Sequence, residues 1–189
     1  MMGGDALPRA ALLVVDVQRG AFDGARCEPI SDAQRLVDRC VALVSAAREA
    51  AVPIVFIQHC AEAGDAFEEG TPHWELHESL QPLAGDKLVK KHASSAFDGT
   101  DLAGLLDGLR AEQLVVCGLQ SEFCVFNTSR SALEKGFVLV VAEDGHSTWP
   151  SKTETANAIS ARINQDLQSR GAELRSTADI TRSWREART

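Results

Sequence analysis

Three side chains in this 189-residue sequence stand where short apolar runs give out, and together they could carry out nucleophilic catalysis. Asp16 directly follows Leu12-Leu13-Val14-Val15, Lys90-Lys91 close the run around Leu88-Val89, and Cys124 stands beyond Leu114-Val115-Val116-Cys117. A carboxylate directly after an apolar run is stripped of water and needs a partner or a task. For Asp16 the alternative to chemistry is capping of a nearby loop. A lysine closing a strand is ordinarily solvated unless a buried anion awaits it. Cys124 falls at the expected start of a helix, where unpaired N–H groups and the dipole favour a thiolate. A thiol nucleophile needs a base for its proton and a cation to balance the charges that form, and these three residue types supply that set.

The elements that must position them follow from hydrophobic rhythm. Short apolar runs alternate with amphipathic segments along the chain, the pattern of βαβ units and a parallel sheet. Strands are expected at Ala11–Val15, entered at Pro8, then at Ile54–Ile57, Leu88–Val89, Leu114–Cys117 and Phe137–Val141, with a sixth at Ala172–Arg175. The first has no period-two alternation, which suits a strand covered on both faces. Between them, Leu36, Val37, Cys40, Val41, Val44 and Ala47 recur at helical spacing behind a Ser31/Gln34 capping box. Leu102, Leu105, Leu106 and Leu109 mark a second helix, and a third is expected from about Cys124 to Lys135, stopped by Gly136. A fourth carries Ile159, Ile163 and Leu167 behind a Ser151/Glu154 capping box. Residues 60–86 form a long irregular stretch of the sort that is usually functional, and the tail from Ser176 reads as peripheral. With no repeat or linker, residues 1–189 read as a single domain with its core at about 8–176. In an open parallel sheet ligands bind beyond the carboxyl ends of the strands, where Asp16, His59, Lys91, Cys124 and the Glu143-Asp144 region with His146 all fall.

Composition narrows the field. Hydrophobic residues make up 44% and charged residues 24%, an ordinary globular balance. Acidic groups number 27 against 19 basic ones, a net charge of −8, which is a poor counterion for phosphate and argues against nucleic acid or an anionic membrane as partner. Five cysteines at irregular spacing do not form a disulfide framework, and Cys27, Cys40, Cys60 and Cys117 read as inert packing residues of a protein in a reducing compartment. The stretch Met1–Arg9 lacks the apolar core of a secretory signal, and no apolar run approaches membrane-spanning length, so a soluble cytoplasmic protein is expected. No phosphate-cradling glycine pattern or dinucleotide fingerprint is present, and no cofactor is expected.

Several ordered strings carry a family resemblance. Leu12-Leu13-Val14-Val15-Asp16-Val17-Gln18, Lys91-His92-Ala93-Ser94-Ser95-Ala96-Phe97 with Thr100-Asp101-Leu102, and Gly118-Leu119-Gln120-Ser121-Glu122-Phe123-Cys124-Val125 resemble the isochorismatase-like cysteine hydrolases. Thr128-Ser129-Arg130-Ser131-Ala132 and Ala142-Glu143-Asp144-Gly145-His146-Ser147-Thr148 extend the match to about residue 150. The resemblance implies a three-layer α/β/α sandwich around a six-stranded, mostly parallel Rossmann-like sheet. It implies Cys124 as nucleophile, Asp16 as proton shuttle and, counting back from Ser95-Ala96-Phe97, Lys91 as the triad lysine. It further implies a cis peptide at Leu119–Gln120 and an oxyanion hole from the backbone N–H groups of Gln120 and Cys124.

The reaction so implied is hydrolysis of a small-molecule amide through a Cys124 thioester, in a homodimer or homotetramer. Relatives that cleave the vinyl ether of isochorismate need no thiol and carry another residue at the Cys124 position, so C–N hydrolysis is the first reading. The alternatives are isochorismatase-type ether hydrolysis and a non-enzymatic redox or interaction module. By resemblance Phe22, Trp74 and Phe123 would wall the substrate pocket, against plain packing under the long loop. His146 and Trp149 would rim the site or a subunit interface. His73 and His77 lie four apart and could join His59 around zinc. Nicotinamidase-like relatives bind metal through a cluster with an aspartate and a histidine two apart after strand two, and Gln58-His59-Cys60-Ala61 has neither that aspartate nor the second histidine. Structural histidines are therefore expected, with no metal site.

Overall fold

The computed structural model describes residues 9–187; Pro8 and the rest of the N-terminal stretch lie outside it. Six strands, β1 (Ala10–Val15), β2 (Ile54–His59), β3 (Lys87–Lys91), β4 (Gln113–Leu119), β5 (Val138–Ser147) and β6 (Glu173–Arg175), form one sheet in the order β3-β2-β1-β4-β5-β6. Every neighbouring pair is parallel. The order reverses between β1 and β4, which opens a crevice at their carboxyl ends.

Strand β1 shows why its run is continuously apolar. Leu12 and Val14 enter a core cluster with Leu36, Cys40, Leu43 and Val44 of helix α1 (Ala33–Glu49), while Ala11, Leu13 and Val15 point to the opposite face. There they meet Leu102 and Leu106 of α2 (Leu102–Gly108), Ala132 of α3 (Phe126–Glu134), and Ile159, Ile163 and Leu167 of α4 (Ala156–Ser169). Helices thus cover both faces, giving the three layers.

Several local expectations are corrected. The C-terminal segment is not peripheral: Thr177–Glu186 forms α5, capped by Ser176, and drives Ile180 and Trp184 into the α1 cluster. Burying side chains of that size contributes about 1.5–3 kcal/mol each, too much for a loose tail. Asp144 holds its start by accepting from the Thr177 N–H and hydroxyl at 2.7 and 2.8 Å.

Neither capping box forms. Helix α1 begins after Asp32, whose backbone is left-handed and whose carboxylate turns to Arg35. Helix α4 is capped by Thr155, while Ser151 accepts from Thr153 and Glu154 in a turn before it. Strand β5 runs on through Glu143-Asp144-Gly145, with a register shift opposite Val116/Gly118 that pairs His146 with Gly118.

Candidate active site

Asp16, Lys91 and Cys124 come together from three strand ends. Strand β1 ends as Asp16 swings into the left-handed region at φ 52°, a conformation short polar residues tolerate, and its carbonyl accepts from the Gln18 N–H at 2.8 Å. Gly118 lets β4 lie against that end: at φ 121°, a Cβ there would stand 2.1 Å from the Val15 carbonyl oxygen. The Leu119–Gln120 peptide bond is cis. A π-helical turn, Ser121–Val125, then precedes α3 and presents Cys124, where the sequence suggested a helix beginning at the cysteine itself.

Lys91 is fully buried, at 0% exposure. Its Nζ lies 2.8 Å from Asp16 Oδ2, 3.2 Å from Cys124 Sγ, 3.1 Å from the Ala93 carbonyl and 3.1 Å from His59 Nδ1. Lys90, by contrast, points outward to Glu69 at 2.8 Å. Asp16 is 1% exposed, and apart from the Lys91 ammonium and the Cys124 thiol nothing among the described residues satisfies its oxygens.

The electrostatics follow from this enclosure. Burial raises the Asp16 pKa above its usual range, opposed by the Lys91 charge and the Lys91 and Cys124 hydrogen bonds. Burial and then the Asp16 charge push the Cys124 thiol up to about 11, against the pull of Lys91. The expected helix-terminus thiolate is therefore not the resting state. Cys124 rests as a thiol beside the Asp16 carboxyl and the Lys91 ammonium. Burial, reinforced by Lys91, lowers His59 to about 4, so it is neutral at pH 7.

Above the triad opens a cavity of about 600 Å³, of the size that holds a small molecule. Asp16, Cys124, Gln120, Leu119, Phe123, Trp149 and Phe67 line it, together with His59 and Ser94. Phe123 is 53% exposed at its mouth. Two of the expected walls lie elsewhere. Phe22 packs edge-on against His77, 4.9 Å between ring centroids, beside a separate surface recess. Trp74 lies beneath Lys90 Nζ at 4.4 Å, and its carbonyl accepts from Gln18 at 2.7 Å and from Gln58 at 2.9 Å.

Gln18 explains that placement. Fully buried, it also donates to the His59 carbonyl and accepts from the His59 N–H, so the long loop is tied to the end of β1 by its backbone.

His146 does not rim the cavity. It is 5% exposed, 2.8 Å from the Ser121 hydroxyl and 2.8 Å from Asn164 Oδ1. Since the Asn164 oxygen only accepts, Nε2 carries the proton and Ser121 donates to Nδ1. Ser160 joins Ser121 at 2.9 Å, completing a neutral brace behind the π turn. Trp149 does reach the cavity, as does Cys27, expected from sequence to be an inert packing residue.

The three histidines considered for zinc are not gathered: His73 pairs with Asp23 and His77 with Phe22, while His59 stays in the cavity wall. Among the described residues one other set, Cys60, Glu69 and His92, brings metal-ligating atoms within 4.8 Å of one another, but Lys90 occupies the Glu69 carboxylate.

Comparison with known proteins agrees with the architecture. Residues 10–179 match the model of the isochorismatase domain. The chain belongs to the isochorismatase family. A streptothricin hydrolase of Streptomyces noursei is 38% identical over 163 residues, 86% of this chain and 58% of that protein, so the chain spans less than two thirds of that relative's length. Nicotinamidase 3 of Arabidopsis thaliana is 26% identical, with 79% of each chain covered. The crystal structure of a candidate isochorismatase from Burkholderia xenovorans LB400 superposes with a TM-score of 0.88 at 33% identity, covering 95% of this chain and 89% of that one. Within the described residues of this family member no helix is long and apolar enough to cross a membrane.

Proposed function

We propose that the chain is a cysteine hydrolase of small-molecule amides, acting through a thioester on Cys124. The observation that carries this reading is the contact set around Lys91, whose ammonium lies 3.2 Å from Cys124 Sγ and 2.8 Å from Asp16 Oδ2 at the floor of a cavity. Relatives named for streptothricin and nicotinamide hydrolysis support it.

Asp16 takes the Cys124 proton as the sulfur adds to the amide carbonyl, so the C–S bond forms as the carbonyl π pair moves to oxygen. The backbone N–H groups of Gln120 and Cys124 receive that oxyanion. On collapse the C–N bond breaks, and Asp16 passes its proton to the leaving nitrogen. Asp16 then deprotonates a water that attacks the thioester; the acid departs and the proton returns to sulfur. Lys91 keeps the site's charge balanced while the proton moves between Asp16 and Cys124. The raised thiol suits this cycle, because a resting thiol brings the proton that the leaving group needs.

The test is intact-mass detection of an acyl adduct on Cys124 after mixing with a panel of primary amides. An adduct that is lost in Cys124→Ala supports the reading. No adduct across the panel, with isochorismate consumed instead, overturns it.

A further inference from the structure

We propose that the cavity selects amides bearing a cationic group and discriminates against those bearing a carboxylate. The inference rests on the amidase reading for the substrate, and on the lining alone for the sign of the charge.

Every cation at the cavity is already matched. Lys91 is enclosed by Asp16, Cys124, His59 and the Ala93 carbonyl, so its ammonium has no N–H left for a ligand. Arg26 places Nη1 2.5 Å from Glu68 Oε2 and 2.5 Å from the Asp65 carbonyl, so its charge is already offset by a carboxylate. His59, in the same wall, is neutral at pH 7.

The anions are not matched in the same way. Asp16 has Lys91, yet Glu28 and Asp65 also line the cavity and form no ion pair with any described residue. Asp65 accepts from the Phe67 N–H at 3.0 Å with one oxygen. Burial first, and then the charges of Asp23, Asp65 and Glu28, raise the thiol of Cys27, itself a lining residue.

The remaining walls reinforce the same sign. Phe67, Phe123 and Trp149 offer aromatic surface, which attracts cations and gives an anion nothing. The deepest polar group, Asp16, is a nearly fully buried acceptor with bonding capacity to spare. Two carboxylates without a cationic partner, aromatic walls and no cation without a carboxylate partner make a receptor for an ammonium or amidinium substituent on the acyl or leaving side.

The decisive measurement needs no substrate. The full chain is treated with two methanethiosulfonates, one carrying trimethylammonium and one sulfonate, each rate being normalised to that with 2-mercaptoethanol. Modification of Cys124 and Cys27 is read separately by peptide mass. The cationic reagent should modify both cavity thiols about tenfold faster at low ionic strength, and the ratio should shrink at about 0.3 M salt. It should shrink likewise in the Glu28→Gln/Asp65→Asn double variant. A ratio of one or below, or a preference untouched by the two substitutions, overturns the proposal; the latter would trace it to the overall charge of −8 instead.

The same order should hold for three amides on one scaffold with an aminomethyl, methyl or carboxylate substituent, and a preference for the carboxylate would overturn the substrate claim. Failure of all three to acylate Cys124 would remove the amidase reading, while the thiosulfonate ratio still decides the sign of the cavity.

Discussion

Two buried polar clusters flank the turn that carries Cys124, and they are built on opposite principles. In front, Asp16 and Lys91 form a buried ion pair beside the thiol; Lys91 also meets His59 and the Ala93 carbonyl, whereas the Asp16 oxygens keep bonding capacity to spare. Behind, Ser121, His146, Ser160 and Asn164 are neutral and fully paired, with Asn164 also donating to the Glu143 carbonyl at 3.0 Å. Burying charge with spare bonding capacity costs stability and is tolerated where it does chemistry. Burying a satisfied neutral network instead fixes geometry. The front cluster should therefore govern rate, and the rear one should govern stability and aim.

The widest separation between the two is expected in turnover. Cys124→Ala and Asp16→Asn should each lower amide hydrolysis by about 10³-fold or more, since nucleophile and proton shuttle act as a unit. Thermal unfolding should confirm that both variants remain folded. A Cys124→Ala protein retaining more than a few per cent of turnover would place the chemistry elsewhere.

Next in size is the brace. His146→Ala leaves Ser121 and Asn164 short of a buried partner, which should cost about 2–3 kcal/mol in urea unfolding and about tenfold in kcat as the π turn loosens. If stability were unchanged while activity vanished, the assignment of rear cluster to scaffold would fail.

A pH titration sharpens the contrast further. Iodoacetamide labelling of Cys124 should rise with a midpoint near 11, because burial and the Asp16 charge oppose the thiolate. Asp16→Asn removes one of those causes and should move the midpoint to lower pH, while His146→Gln should leave it in place. Hydrolysis needs the Asp16 carboxylate, so it should fall as pH drops through a pKa that burial has raised above the ordinary aspartate value of 3.8. An acid limb at or below 3.8 would contradict that burial.

These clusters differ as well in how far they could be read from sequence. Asp16, the Lys90-Lys91 pair and Cys124 stood out because each interrupts or follows an apolar run and strand ends in a parallel sheet converge, while the choice of Lys91 over Lys90 came from the family resemblance. The layers were legible for the same reason: the β1 run leaves no face for water. The rear brace was not, because Glu143-Asp144-Gly145 looks like the end of a strand, and only the register shift opposite Gly118 carries β5 on to His146. The amphipathic pattern of α5 is short and polar between Ile180 and Trp184, and its burial depends on Asp144 and α1, both distant in sequence. The cavity walls were least legible, since Arg26, Cys27, Glu28, Asp65 and Phe67 come from irregular loops whose path is set by anchors such as Gln18.

The smallest effect tests that last point. Phe123 stands beside Cys124 with half its surface open to the cavity mouth, whereas Phe22 is spent on His77 across a different recess. Truncating an aromatic wall that a substrate covers only in part forfeits about 1 kcal/mol of binding. Phe123→Ala should thus raise KM several-fold with kcat little changed, while Phe22→Ala should leave KM within about twofold. Both are single aromatic truncations beside loops, so a general loosening of the fold would move the two together. The reverse order would mean that the loop carrying Phe22 folds over the substrate, and the cavity above Cys124 would then be only the open half of the site.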